Sequence, residues 1–179
     1  MEFSEFLKSI NSLEDNYPPV HLWNPDLCDG VEMRIDREGN WYYQNSIIGR
    51  DKLKILFSRI LKFESGNYYL VTPTEKVIVK VDIAPYMIID YEIDAQKEKI
   101  ILKTNLDLSI PLDKDHKLEL KKIGEEQIPF IQVRDNIEGF ISRSIYYSLI
   151  EIALKQENTP SEQLILKSFD CDFNLGEIR

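Results

Sequence analysis

The segment Arg50-Asp51-Lys52-Leu53-Lys54-Ile55-Leu56-Phe57-Ser58-Arg59 lies over Arg134-Asp135-Asn136-Ile137-Glu138-Gly139-Phe140-Ile141-Ser142-Arg143 without a gap. The Arg-Asp pair that opens each stretch and the Ser-Arg pair that closes it are identical. Leu53, Leu56 and Phe57 fall on Ile137, Phe140 and Ile141. Apolar coincidences between amphipathic segments are cheap. Polar identities at the same place in a strand–strand–helix unit argue instead for an internal duplication. The pattern predicts an α+β protein of mostly antiparallel sheet, built as two similar lobes, each covered by one helix. A groove between such lobes is the default place for a ligand.

Around the first stretch, Leu53, Leu56, Phe57, Ile60 and Leu61 recur at helical spacing and predict a helix over Asp51–Lys62. Upstream, Val31, Met33 and Ile35 alternate with Glu32, Arg34 and Asp36, the mark of a half-buried strand. Arg37–Asn40 then reads as a hairpin loop and Trp41–Gln44 as the returning strand. Phe3, Phe6, Leu7, Ile10 and Leu13 predict a helix within residues 1–17, stopped by Pro18-Pro19. Downstream strands are expected at Tyr68–Val71, Val77–Val81, Tyr86–Asp94, Lys99–Asn105, Lys117–Lys121 and Ile128–Val133. Pro129 marks an edge or a bulge in the last of these.

The second matched stretch opens the longest expected helix, Ile137–Leu154, with Asp135 and Glu138 as a capping box. Leu164–Ser168 reads as a last short strand. The remainder, with Asp170-Cys171-Asp172, reads as a solvated tail. The organisation expected is an N-terminal helix over 1–17, one lobe over 18–84 and a second over 85–179.

The chain has 179 residues, 43% of them hydrophobic and 30% charged, with a formal net charge of −9. Such an acidic surface repels phosphate backbones and anionic membranes, so neither nucleic acid nor membrane is an expected partner. A local basic pocket remains compatible with it. The N-terminus has no basic region followed by an apolar run, and no segment has transmembrane length, which points to the cytoplasm. Two cysteines make no disulfide framework, and two distant histidines make no metal site. Phosphate-loop, dinucleotide, nucleophile-elbow and zincin motifs are missing, so no cofactor is expected.

Arg50 and Arg134 each precede an expected helix, where free amides and the helix dipole favour an anion. An arginine there could clamp a phosphate or carboxylate through two hydrogen bonds, or pair with a neighbouring carboxylate. Arg143 falls inside the second helix and would bridge it to the sheet or the other lobe. Trp23 and Trp41 suit anchors of the core or the lobe interface. Lys76 follows Thr72-Pro73-Thr74-Glu75 on an expected turn, where binding groups often sit. The candidate ligand-binding set is Arg50, Arg134, Trp23, Lys76 and Arg143.

The string Pro18-Pro19-Val20-His21-Leu22-Trp23-Asn24-Pro25 resembles the bacterial domain family of unknown function 1285, DUF1285. So do Met33-Arg34-Ile35, Gly39-Asn40-Trp41, Tyr68-Tyr69-Leu70-Val71-Thr72-Pro73, Glu75-Lys76-Val77, Thr104-Asn105, Val133-Arg134 and Arg143-Ser144-Ile145-Tyr146-Tyr147, in the family's order. The resemblance covers about residues 18 to 155. It implies a duplicated α+β fold, a C-terminal half superficially like a pleckstrin-homology domain, and a ligand site between the halves. It also implies a nucleotide-like ligand and a role in signal transduction, without an established activity. Three readings follow: a non-enzymatic regulatory module for a small anionic or nucleotide-type ligand, a protein-interaction module, and, last, an enzyme with an unrecognised site.

Overall fold

Short alternating strands build the first sheet. In this computed structural model, which describes residues 17–94, 98–156 and 163–177, they are Met33–Ile35 (β1), Trp41–Tyr43 (β2), Ser46–Ile47 (β3), Leu61–Glu64 (β4), Asn67–Val71 (β5) and Lys76–Val81 (β6). They lie in the order β3-β2-β1-β6-β5-β4. Neighbours are antiparallel except at the centre, where β1 and β6 run parallel. Successive side chains point to opposite faces, so the register sorts them. Met33, Ile35, Trp41, Leu61, Leu70, Val77 and Val79 fall on one face and are all buried. The helix Asp51–Arg59 (α1) joins β3 to β4 and covers that face, with Phe57 stacked on Trp41 at 6.1 Å between ring centroids. Arg34, Tyr42, Lys62, Tyr69, Lys76, Ile78 and Lys80 fall on the other face.

The second sheet repeats the arrangement. Its strands are Tyr86–Asp94 (β7), Lys99–Thr104 (β8), Ser109–Pro111 (β9), Leu118–Ile123 (β10), Glu126–Arg134 (β11) and Ile137–Ile141 (β12), in the order β10-β11-β12-β7-β8-β9. Read from the opposite edge, both sheets run third, second, first, sixth, fifth, fourth. The parallel seam of first and last strands recurs in detail. Met33 pairs with Val79 and Ile35 with Val81, and Asp82 N donates to Ile35 O at 3.0 Å. Tyr86 pairs with Gly139 and Ile88 with Ile141, and Ser142 N donates to Ile88 O at 3.1 Å. The helix Arg143–Gln156 (α2) follows β12 and packs Ile145, Leu149 and Ala153 inward, against β7 and the hairpin Gln163–Ser168 (β13) and Cys171–Glu177 (β14). Contacts divide the chain into two compact units, Met1–Pro85 and Tyr86–Arg179.

The duplication is therefore one of strand order, and the residues that suggested it are not equivalent. Arg50–Arg59 enters a helix, whereas Arg134–Ser142 ends β11, turns and forms β12. The expected helix Ile137–Leu154 is corrected to Arg143–Gln156. Ile137, Phe140 and Ile141 have helical spacing because β12 is buried on both faces, which hides the alternation of a strand. Asp135 caps nothing. It sits at φ +47° in the two-residue turn between β11 and β12.

The first helix ends at Arg59 instead of Lys62, because Leu61 and Phe63 are drawn into β4 beside Leu70 and Tyr68. Beyond Ser168 the expected solvated tail is the strand β14, with Phe173 and Leu175 buried. The bulge in β11 lies between Gln132 and Arg134, away from Pro129. Gln132 N donates to Lys117 O on the β10 side at 3.0 Å, so residue 129 would donate toward β12. That ladder ends at Phe130, and proline's missing N–H costs no bond there. The helix expected within residues 1–17 falls on residues 1–16, outside the described residues.

One loop frame occurs in both units. Asp36 N donates to Asn40 O at 3.0 Å and Gly39 N to Asp36 O at 3.1 Å. Asp36 Oδ1 accepts from the N–H groups of Glu38 and Asn40. Thr104 N donates to Leu108 O at 2.9 Å and Asp107 N to Thr104 O at 3.3 Å, and Thr104 Oγ1 accepts from Leu106 and Leu108. The fourth position is left-handed in each, Gly39 at +79° and Asp107 at +61°.

Candidate functional site

Antiparallel register brings charge together on the open face of the first sheet. Lys62 on β4 lies opposite Tyr69 on β5, Tyr69 lies opposite Ile78 on β6, and Lys76 lies opposite Val71. Glu64, two residues beyond Lys62, shares its face. Lys62 Nζ is 3.1 Å from Glu64 Oε1, and Lys76 Nζ donates to Glu64 Oε2. One carboxylate thus bridges two ammonium groups. Lys76 Nζ also lies 4.3 Å from the centroid of the Tyr69 ring, within cation–π range. Lys62 Nζ donates to the carbonyl of Trp23 at 3.2 Å.

The approach of Trp23 has a local cause. Pro18-Pro19 leads into a single 3-10 turn, Val20–Leu22, which Trp23 N closes on Val20 O at 3.1 Å. The chain then runs along β6, where Leu27 bridges to Lys76 and Cys28 N donates to Lys76 O at 2.8 Å.

The exposure of the three charges is unusual. The side chains of Lys62 and Lys76 are 15% and 13% exposed, and that of Glu64 is 37% exposed. Lysines normally extend their heads into water; here the carboxylate is the more open partner. The hydrogen bond from Lys76, with that from Lys62, holds the Glu64 carboxyl below the usual carboxylate range. Each ammonium carries three N–H donors. Lys62 spends two on Glu64 and Trp23, and Lys76 spends one on Glu64 with its charge over Tyr69. The cluster carries a net positive charge and spare donors in a chain of charge −9.

Of the candidate residues, Trp23 and Lys76 meet here. Trp23 is half-buried, whereas Trp41 is fully buried in the core. Lys76 opens β6 and is not on the expected turn. Arg50 is the residue before α1, in extended backbone and exposed, and its carbonyl accepts from Leu53 and Lys54. No hydrogen bond or ion pair holds its guanidinium among the described residues. Arg134 does not precede a helix: it ends β11, and its guanidinium pairs with Asp135 at 3.2 Å and reaches the Tyr86 hydroxyl at 3.4 Å. A helix-entrance anion site at Arg134 is therefore corrected to a strand-end ion pair. Arg143 is the first residue of α2, with its guanidinium 5.9 Å from the centroid of the Tyr147 ring.

Sequence reasoning missed Lys62, Glu64 and Tyr69. The signal for the first two was Leu61 and Phe63 alternating with Lys62 and Glu64, masked by the apolar run of the preceding helix. Among the described residues no group of His, Cys, Asp and Glu could hold a metal ion, and no helix is long and apolar enough to cross a membrane. Cys28 and Cys171 are free thiols.

Two family models match in tandem. Residues 18–84 match the domain of unknown function DUF1285, N-terminal domain, and residues 85–175 match the protein of unknown function DUF1285, C-terminal domain. A crystal structure of a DUF1285 family protein from Silicibacter pomeroyi DSS-3 is similar over 96% of this chain and 94% of its own, at 32% identity and a TM-score of 0.80. One from Shewanella baltica OS155 shares the fold over 66% of this chain and 90% of its own, at 24% identity and a TM-score of 0.54. No curated protein matches.

Proposed function

The chain belongs to the DUF1285 family, and from that premise we propose that it is a non-enzymatic module binding a small phosphate-bearing anion, of the nucleotide type, on its N-terminal lobe. The observation that carries this reading is the pair of sheltered ammonium groups, Lys62 and Lys76, gathered on one carboxylate beside Tyr69 and Trp23. Two lysines side by side match the charge of a phosphate, and the neighbouring aromatic rings offer a surface for a flat base. The proposed site thus moves from the helix entrances to the open face of a sheet.

A role without chemistry agrees with the acidities. Asp36, Glu64 and Asp113 are all held below the usual carboxylate range. A general acid or base works best with a pKa near the operating pH, and these groups are moved away from it.

Thermal unfolding with millimolar pyrophosphate or ATP tests the reading. At 100 times its dissociation constant a ligand adds ~2.7 kcal/mol, so the midpoint should rise by several degrees. The rise should vanish in a Lys62→Gln, Lys76→Gln double variant. An unchanged midpoint with both anions would reject the site.

A further inference from the structure

We infer that Glu64 is a built-in occupant of the anion position, so that only a ligand able to present anionic oxygens to Lys62 and Lys76 together displaces it. This rests on the anion-binding reading above. The geometry is that of a ligand already in place: one carboxylate oxygen faces each ammonium, Oε1 toward Lys62 at 3.1 Å and Oε2 toward Lys76. The carboxylate is also the most exposed member of the trio, at 37% against 15% and 13%, so it lies on the solvent side of the charges it neutralises. It stands on β4, an edge strand of the sheet, and its side chain can swing outward without breaking a strand pair.

An incoming anion competes with a tethered carboxylate of high effective concentration. A monocarboxylate offers no more charge than Glu64 and loses that competition. A pyrophosphate or the phosphate tail of a nucleotide brings more charge and more oxygens, and can bridge both ammonium groups while Glu64 turns to water. Low proton affinity at Glu64 means that protonation near neutral pH does not open the site, so displacement is left to the ligand. The device therefore selects multivalent oxyanions and excludes the monovalent carboxylates abundant in a cell.

Titration calorimetry on the full chain with pyrophosphate and with acetate separates the ideas. The wild type should bind pyrophosphate and give no heat with acetate. Glu64→Gln removes the tethered charge and keeps the side-chain shape, and it should bind pyrophosphate roughly tenfold tighter, from the loss of a unit charge a few ångströms away. Acetate binding should become measurable in the same variant. If Glu64→Gln leaves the pyrophosphate affinity unchanged while the wild type binds, the occupant idea fails and the anion site stands. If neither protein binds pyrophosphate, both fail. Should Glu64→Gln fold poorly, the carbon-13 resonance of the Glu64 carboxylate in the wild type gives the same decision. Displacement requires it to move toward the value of a free glutamate as pyrophosphate saturates, and a stationary resonance at saturation overturns the proposal.

Discussion

The two lobes share one strand order and place their covering helix differently. In the first, α1 stands between the third and fourth strands; in the second, α2 follows the sixth. The constant element is the parallel seam of first and last strands. It is filled in opposite ways: medium against medium in the first lobe, Met33 beside Val79, and large against none in the second, Tyr86 beside Gly139. A Cβ on Gly139 would stand 3.0 Å from both Tyr86 Cβ and Tyr86 O, and 3.1 Å from Val133 Cγ2. A repeated topology thus constrains the summed volume across a strand pair and leaves each residue free to drift. The position of the helix is freer still, because any connection long enough to reach the apolar face will serve.

The sharpest way to break the comparison is at that seam. Gly139→Val should destabilise the protein by ~3 kcal/mol, the upper end of ordinary overpacking. Adding Tyr86→Met recreates the pair of the first lobe and should recover about half of that loss in urea unfolding. Strict additivity of the two changes would show that the seams are not interchangeable.

A smaller effect separates the shared loop frames. Asp36 is 6% exposed. Burial works to raise its pKa, but hydrogen bonds from the Asn40 backbone and side chain, from Tyr42 and from the Glu38 backbone outweigh it and hold the carboxyl low. Asp36→Ala should cost ~2 kcal/mol at neutral pH, the scale of hydrogen bonds to a charged group. The sign with pH follows from the lowered folded-state value. The contribution is complete above the unfolded pKa of about 3.9 and fades as pH falls through the folded one. Thr104→Ala, in the neutral frame of the second lobe, should cost ~1 kcal/mol with no such pH dependence. Stability measured from pH 7 down to pH 2 checks both.

The smallest effect concerns a charge pair that only the first seam has. Arg34 and Asp82 meet at 3.2 Å with side chains 49% and 42% exposed, where the second seam has Met87 and Ser142. Arg34→Met should shift stability by ~0.5 kcal/mol or less, as exposed pairs do. A loss above 1 kcal/mol would mean that the pair has a structural role that its exposure does not suggest.

Much of the sheet was legible because half-buried strands advertise themselves. Met33 and Ile35, or Val77 and Val79, alternate with polar residues that stay on the open face. Legibility failed where that asymmetry is lost. Ile137–Ile141 is covered on both sides and imitates a helical stripe. Leu61–Glu64 follows a helix so closely that its first apolar residue joins the helical pattern. The site suffered from the second failure. Trp23 and Lys76 could be named from the chain, but Lys62 and Glu64 were hidden inside an expected helix. What unites the four is a register spanning residues 23 to 76, which no local window contains.

By itself, then, the sequence determined the class of fold, the doubling of the lobe and the family, because composition, alternation and motif order are local properties that survive without coordinates. Only the tertiary structure decided which strands are buried on both faces, where each helix lies, and that Arg134 ends a strand while Lys62, Glu64 and Lys76 share one charge cluster. The reason is physical: spacing records which side chains seek burial, but the number of sides on which neighbours bury them, and the charges that strand pairing sets side by side, are settled by contacts between distant residues.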